Sequence, residues 1–256
     1  MSLSSAEKST PVNNLSNRLS KRHVTYVESD MIVLRTTTNK RIIIFTRYPE
    51  AGTAKTRLIQ TLGPDGAAKL QQRMTKIAIN VCNRFFEGNS GSHVEIRYQG
   101  GSVALMTESF GKGNYRPQFH GNLGQRMLMA FEDAFYEKAE AVVLIGSDCP
   151  EITTELLAAA FDILTSHDLV LGPARDGGYY LIGMRRLIPE LFPDAMPWGT
   201  SDVMETTLGK ASESGVSVSL LPVLDDIDRP EDIAGFHNNP LLEGIPLSLI
   251  CDYSKT

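Results

Sequence analysis

Residues 41–58 read RIIIFTRYPEAGTAKTRL, and this stretch decides the fold. Ile42–Thr46 is a short β-branched run, apolar at successive positions and therefore able to face cover on both sides. Polarity then switches at once. Arg47–Arg57 forms a loop that turns at Pro49 and Gly52 and ends on Lys55, Thr56 and Arg57. The next segment, Pro64–Phe86, places Leu70, Met74, Ile77, Ile79 and Val81 with helical spacing. Strand, polar loop and helix in that order make the opening of a β–α unit.

The same alternation continues outward. Val94–Tyr98 alternates as a strand should, Leu123–Tyr136 is helical, and Ala141–Ile145 is a buried type of strand ending at Gly146. Thr153–Leu164 predicts a helix with a threonine cap, and Asp168–Gly172 and Tyr179–Met184 predict strands. Asp202–Ser214 is a helix, Val216–Val223 a strand and Pro230–Phe236 a short closing helix. Such repeated alternation predicts an α/β fold, a mostly parallel central sheet with helices on both faces. No internal repeat is present. Residues 1–39 form a polar extension rich in Ser, Thr and Asn, expected to be disordered or to contribute a β-arm over Val24–Leu34. Residues 40–256 are expected to be a single domain.

Composition narrows the function classes. The chain has 256 residues, 42% hydrophobic and 21% charged, with a net charge of −5. Residues 1–40 carry Lys8, Arg18, Lys21, Arg22, Arg35 and Lys40 against Glu7, Glu28 and Asp30, so the remainder is acidic. No basic stripe suits sequence-independent nucleic-acid binding, and nucleic acid is not an expected partner. The longest apolar runs fall far short of the ~20 residues of a membrane span. Cys82, Cys149 and Cys251 include no CxxC pair, which argues against a disulfide framework and fits a reducing cytoplasm.

Ligands of such sheets sit beyond the carboxyl ends of the strands, which singles out four loops. In Arg47–Arg57, Gly52 lets backbone approach phosphate oxygens while Lys55 and Arg57, beside Thr56, supply charge; the plain alternative is a surface loop with solvated cations. It is not a Walker A loop, since Gly52 is its sole glycine. In Gly146–Pro150, Asp148 follows a wholly apolar strand, where a carboxylate caps, pairs or holds a metal such as Mg²⁺. Cys149 reads as a small filler. In Ala174–Gly178, Asp176 could accept sugar hydroxyls or act as a base, while Gly177 and Gly178 allow close approach of a substrate; Asp-Gly is also a hairpin turn. In Asp225–Asp228, Asp228 is a second metal ligand or a helix cap, with Asp226 as the competing ligand. Two further segments stand out. His120–Arg126 opens a helix and offers Arg126 to a nucleotide, and Trp198, the sole tryptophan, could stack on a sugar or pack in the core.

The strings FTRYPEAGTAKTRL, GNLGQRM, LIGSDCP, GPARDGGYYLIGM, PWGTSDV and DDIDRPEDI, in this order, resemble the GT-A-type nucleotide-diphospho-sugar transferase superfamily. More closely they resemble its bacterial branch of radical-SAM/selenodomain-associated, or arsenosugar-biosynthesis, glycosyltransferases. The resemblance covers Arg41 to Ala234 and implies a Rossmann-like GT-A fold with a nucleotide over the first loop. By position it implies that Lys55 and Arg57 hold the diphosphate of that nucleotide and that Asp148 occupies the metal place usually filled by a DxD motif; Arg47 and Arg126 are further nucleotide-binding candidates. Here the motif is Gly146-Ser147-Asp148, with one carboxylate, a pattern shared with cofactor-guanylylating nucleotidyltransferases in which a later Asp completes the metal site.

Three functions follow as expectations. The first is Mg²⁺- or Mn²⁺-dependent transfer of a sugar from a nucleoside-diphosphate sugar to a small-molecule acceptor. The second is nucleotidyl transfer from an NTP to a phosphorylated small molecule with release of pyrophosphate. The third is a nucleotide-sugar binding module without turnover.

Overall fold

The structure is a computed structural model that describes residues 39–89, 91–234 and 243. The expectations for residues 1–38 lie outside the described residues. Among the described residues seven strands form one sheet: β1 (Lys40–Arg47), β2 (His93–Gln99), β3 (Asn114–Pro117), β4 (Ala141–Gly146), β5 (Leu169–Pro173), β6 (Tyr179–Met184) and β7 (Val218–Leu220). Their spatial order is β3-β2-β1-β4-β6-β5-β7. β6 alone runs antiparallel to its neighbours β4 and β5; every other pairing is parallel. The carboxyl ends of β1, β2, β4, β5 and β7 therefore lie along one edge.

Successive residues of β1 alternate between two cores, which is why the run is apolar throughout. Ile42 and Ile44 pack on one face with Ala78, Ile79 and Cys82 of α1 (Ile59–Phe85) and Leu157, Ala160 and Phe161 of α4 (Thr154–Ile163). Ile43 and Phe45 pack on the other with Met127, Ala130, Phe131 and Ala134 of α3 (Leu123–Tyr136) and Ala211 of α5 (Val203–Glu213). Each such fully buried aliphatic side chain contributes about 1.5–3 kcal/mol. The fold is α/β with helices on both faces, as the sequence predicts. Among the described residues no helix is long and apolar enough to cross a membrane.

Three local departures have physical reasons. The helix expected from Pro64 begins earlier, at Ile59, and bends at Gly63 (φ 68°, ψ 165°), so that Pro64 opens a second helical stretch. The strand expected over Val216–Val223 pairs only across Val218–Leu220. Its continuation still reaches β5 through Leu221 N to Leu171 O (2.9 Å) and Leu224 N to Pro173 O (3.1 Å). Two short elements between Gly100 and Pro117, α2 (Val103–Phe110) and β3, are not foreseen from the sequence. β3 has four residues and ends in proline at a sheet edge, too short to display an alternating pattern. The closing helix, α6, is described over Pro230–Ala234; the rest of its expected span lies outside the described residues.

The α3 side of β1 and β2 also holds buried charge. Glu95 pairs with Arg97, Arg97 with Asp133 (2.7 Å), and Arg41 with Glu137 (2.7 Å) and Glu95 (3.6 Å). Arg41, Glu95 and Arg97 are at most 1% exposed. Pairing is what makes their burial tolerable.

Candidate active site

The four loops singled out in the sequence converge on one open cavity of about 570 Å³ at the carboxyl edge of the sheet. On its acidic side, Lys55 leaves the first loop in the left-handed conformation (φ 48°, ψ 48°). That backbone costs about 1–3 kcal/mol for a residue with a Cβ and persists only where surroundings enforce it. The enforcing contacts are visible. The side chain is 3% exposed, and Nζ donates to Ile227 O (2.5 Å), lies 2.9 Å from Asp148 Oδ1 and 3.6 Å from Asp228 Oδ1. Arg57 Nη1 donates to Asp228 Oδ2 (2.5 Å). The two candidate metal ligands are thus brought together, with the ammonium of Lys55 between them.

The alternative cap roles fall to other groups. The cap of α4 is Thr153, whose Oγ1 accepts from Leu156 N (3.3 Å), so Asp148 is free of that duty. At α6, Asp232 Oδ2 accepts from Asp228 N (2.9 Å) and Arg229 N (2.7 Å), leaving the Asp228 carboxylate to the two cations. Asp176 serves its turn and faces the cavity at once: Oδ1 accepts from Gly178 N (2.8 Å). Asp226 also lines the cavity, and burial together with the charges of Asp176, Asp232 and Asp148 pushes its carboxyl up to about 6. A crowded group of carboxylates is what a divalent cation relieves. Among the described residues no three His, Cys, Asp or Glu side chains are set to enclose a metal. The donor set here fits a cation that also takes oxygens from phosphate and water, with Asp148 and either Asp228 or Asp226 as protein ligands.

Other lining residues come from the ends of β1 and β2, from Gln118 just after β3 and from the start of α3. Arg47, opposite Gln99 in the register, donates to Gln99 Oε1 (2.9 Å) and Thr53 O (3.0 Å). Gln118 Nε2 bridges Thr46 O and Arg97 O, both at 3.1 Å, and its Oε1 accepts from Arg126 Nη1 (2.6 Å). Arg126 stands in the first turn of α3, which is closed by a capping box between Asn122 and Gln125. Burial, and then the charge of Arg47, hold the Arg126 guanidinium below its ordinary range. Trp198 lines the cavity while packing on Gly124, where a Cβ would stand 2.6 Å from its ring. Trp198 therefore packs on α3 and borders the cavity at once.

Of the sequence candidates, Arg47, Lys55, Thr56, Arg57, Arg126, Asp148, Asp176, Gly178, Trp198, Asp226 and Asp228 line the cavity. Gly52 and Gly177 do not. Gly52 (φ 85°) turns the loop, and Gly177 (φ 91°) lies against the Ser201 backbone, where a Cβ would approach to 2.3 Å. Sequence reasoning missed Gln71, Gln99 and Gln118. Gln71 Nε2 reaches Thr46 Oγ1, Thr75 Oγ1 and Ser147 Oγ at 3.1–3.2 Å, joining α1 to the ends of β1 and β4. Only Gln118 had a legible signal, its place two residues before the His120–Arg126 string.

The family model for uncharacterized proteins conserved in bacteria, DUF2064, matches residues 85–200. A solved structure from Desulfovibrio desulfuricans G20, provisionally described as a nucleotide-diphospho-sugar transferase, is 32% identical, with 79% of this chain and 89% of that chain covered and a TM-score of 0.72. The bifunctional IspDF of Campylobacter jejuni is 9% identical over 77% of this chain and 54% of its own, with a TM-score of 0.52, a likeness of fold alone. Among curated proteins nothing matches. Identity at that level across nearly the whole Desulfovibrio chain, on the same fold, places this protein: it belongs to the nucleotide-diphospho-sugar transferase superfamily of enzymes.

Proposed function

We propose that the chain is a glycosyltransferase that moves a sugar from a nucleoside-diphosphate sugar to a small-molecule acceptor, within the branch that its loop strings resemble. The observation that supports this best is the Asp148–Lys55–Asp228–Arg57 array, which gathers cations and carboxylates from three separate loops at one cavity. Lys55, Thr56 and Arg57 line the cavity together with Arg47 and Arg126, so several cationic side chains border the space offered to a nucleotide. Asp148, with Asp228 or Asp226, would hold Mg²⁺ or Mn²⁺, whose chemistry is to neutralise charge on a departing diphosphate. Lys55 and Arg57 add positive charge where that charge develops.

In an inverting reaction the acceptor oxygen bonds to the anomeric carbon as the bond to the diphosphate breaks, and the hydroxyl proton passes to the Asp176 carboxylate. Gly178 donates to that carboxylate and fixes it at the cavity wall. The space and polarity suit a small acceptor, and the free buried thiols of Cys82 and Cys149 suit a reducing cytoplasm.

The test is product analysis. The full chain is incubated with Mn²⁺ and nucleoside-diphosphate sugars, water serving as a slow acceptor, and in parallel with the four NTPs and sugar phosphates. Release of a nucleoside diphosphate, lost in Asp148→Ala, supports glycosyl transfer. Pyrophosphate release from an NTP moves the assignment to nucleotidyl transfer, and neither release defeats both.

A further inference from the structure

The cationic side chains of the cavity are not equivalent. Lys55 and Arg57 are committed to Asp148 and Asp228. Arg47 and Arg126 sit instead by Gln99 at the end of β2 and Gln118 just after β3, and the hydrogen bonds of their guanidiniums run only to uncharged oxygens. These are Thr53 O and Gln99 Oε1 for Arg47, and Gln118 Oε1 and Asn122 O for Arg126. Elsewhere Arg41, Arg57, Arg97, Arg116, Arg175, Arg185 and Arg186 each have a carboxylate partner. Neither guanidinium has a carboxylate among these hydrogen-bond partners, and burial, then the like charge of Arg47, weighs against the charged form of Arg126. Amide brackets fix their direction and leave the full charge to an incoming anion.

We propose that Arg47 and Arg126 form a metal-independent anion fork for a phosphoryl group of the substrate, and that Gln99 and Gln118 are its positioning residues. The fork is distinct from the Lys55–Arg57 pair, whose side chains are tied to Asp148 and Asp228. Gln118 suits this role because both its amide hydrogens are spent on Thr46 O and Arg97 O, so its oxygen points one way, at Arg126. The inference rests on the cavity being the substrate site of the proposed transferase and adds where that substrate carries its charge. The phosphoryl group belongs either to the nucleotide or to a phosphorylated acceptor.

The experiment titrates inorganic pyrophosphate into the full chain by calorimetry, in buffer containing EDTA so that a metal-dependent site contributes nothing. Wild-type protein binds. Arg126→Gln weakens binding about tenfold or more, whereas Arg186→Gln, an exposed arginine paired with Asp168 outside the cavity lining, changes it less than about threefold. Gln99→Glu is the folding-safe variant, since Gln99 ends an exposed strand terminus and a carboxylate there keeps the bond to Arg47 while cancelling its charge. Its melting temperature stays at the wild-type value while affinity falls about tenfold. A merely structural role would not move affinity without moving stability.

Repeating the titration with UDP, GDP and CDP in Mn²⁺ distinguishes the two sources. Parallel loss of nucleotide affinity assigns the fork to the nucleotide's phosphates. Unchanged nucleotide affinity, with pyrophosphate and nucleotide bound together, assigns it to the acceptor. If no nucleotide binds yet the variants still weaken pyrophosphate, the fork stands and the nucleotide reading falls. Wild-type protein that ignores pyrophosphate, or binding indifferent to Arg126→Gln and Gln99→Glu, overturns the fork.

Discussion

Lys55 joins the first loop to the acidic loops, and its left-handed backbone persists because three oxygens fix its ammonium. Lys55→Met removes the charge that Asp148 and Asp228 share. Those carboxylates keep partial solvent access, so the loss of stability is moderate, about 1–3 kcal/mol, read as a lower melting temperature. Nucleotide affinity falls with it. Asp148→Ala behaves differently: the side chain is 47% exposed and caps nothing, so the fold survives while turnover drops by about a hundredfold or more. Trp198, the sole tryptophan, makes the site observable. Because it lines the cavity, a ligand seated there changes its fluorescence, and titrating a nucleotide without any change would place the ligand elsewhere.

At the scale of elements, Asp168 ties the start of β5 to two neighbours. Its Oδ2 accepts from Ser217 Oγ (2.9 Å) and Ser217 N (3.2 Å), and its Oδ1 accepts from Arg185 Nε (3.1 Å). The Ser217 bonds, with help from Arg185 and Arg186, hold its carboxyl well below the usual 3.8. A depressed folded-state value contributes stability that is complete above the unfolded value and disappears as pH falls through the folded one. Asp168→Asn is therefore less stable than wild type near pH 6, by about 1–2 kcal/mol, and the gap narrows as pH drops below the ordinary carboxylate value. Denaturant midpoints at several pH values read this directly; a gap independent of pH contradicts it.

Elements are legible in the sequence to the extent that they are long and periodic. Leu123–Tyr136 and Tyr179–Met184 come out with the predicted ends because an apolar stripe in the helix and a continuous apolar run in the strand reach both termini. Asn114–Pro117 does not, because its burial is decided by β2 beside it rather than by its own four residues. The candidate site is legible where a charged residue follows an apolar strand. It is not where a neutral amide spans two elements: nothing local in Gln71 or Gln99 announces partners 25 or more residues away.

At the scale of the whole molecule, two apolar layers hold the sheet while the buried charged side chains among the described residues fall in two places. One is the cavity. The other is the buried cluster of Arg41, Glu95 and Arg97, which joins β1 and β2 to α3 through Asp133 and Glu137. Glu95→Leu leaves Arg97 and Arg41 short of a partner in a water-free place and lowers stability by about 3–5 kcal/mol, measured by denaturant unfolding. The cluster lies on the strands that carry Arg47 and Gln99 to the cavity edge, so the same sheet that buries its charges in pairs brings Arg47, bonded to neutral oxygens, to the cavity.

Metal-assisted nucleotide binding in this cavity is best tested by a thermal-shift panel of UDP, GDP, their sugars and the four NTPs. Each is tried with and without Mn²⁺, on wild-type protein and Asp148→Ala. Ligand binding to the folded state raises the melting temperature by mass action, so no acceptor need be known. The expected outcome is a Mn²⁺-dependent rise with one nucleoside diphosphate or its sugar, absent in Asp148→Ala. No rise with any nucleotide, or an equal rise in the variant, would refute a metal-assisted nucleotide site at Asp148.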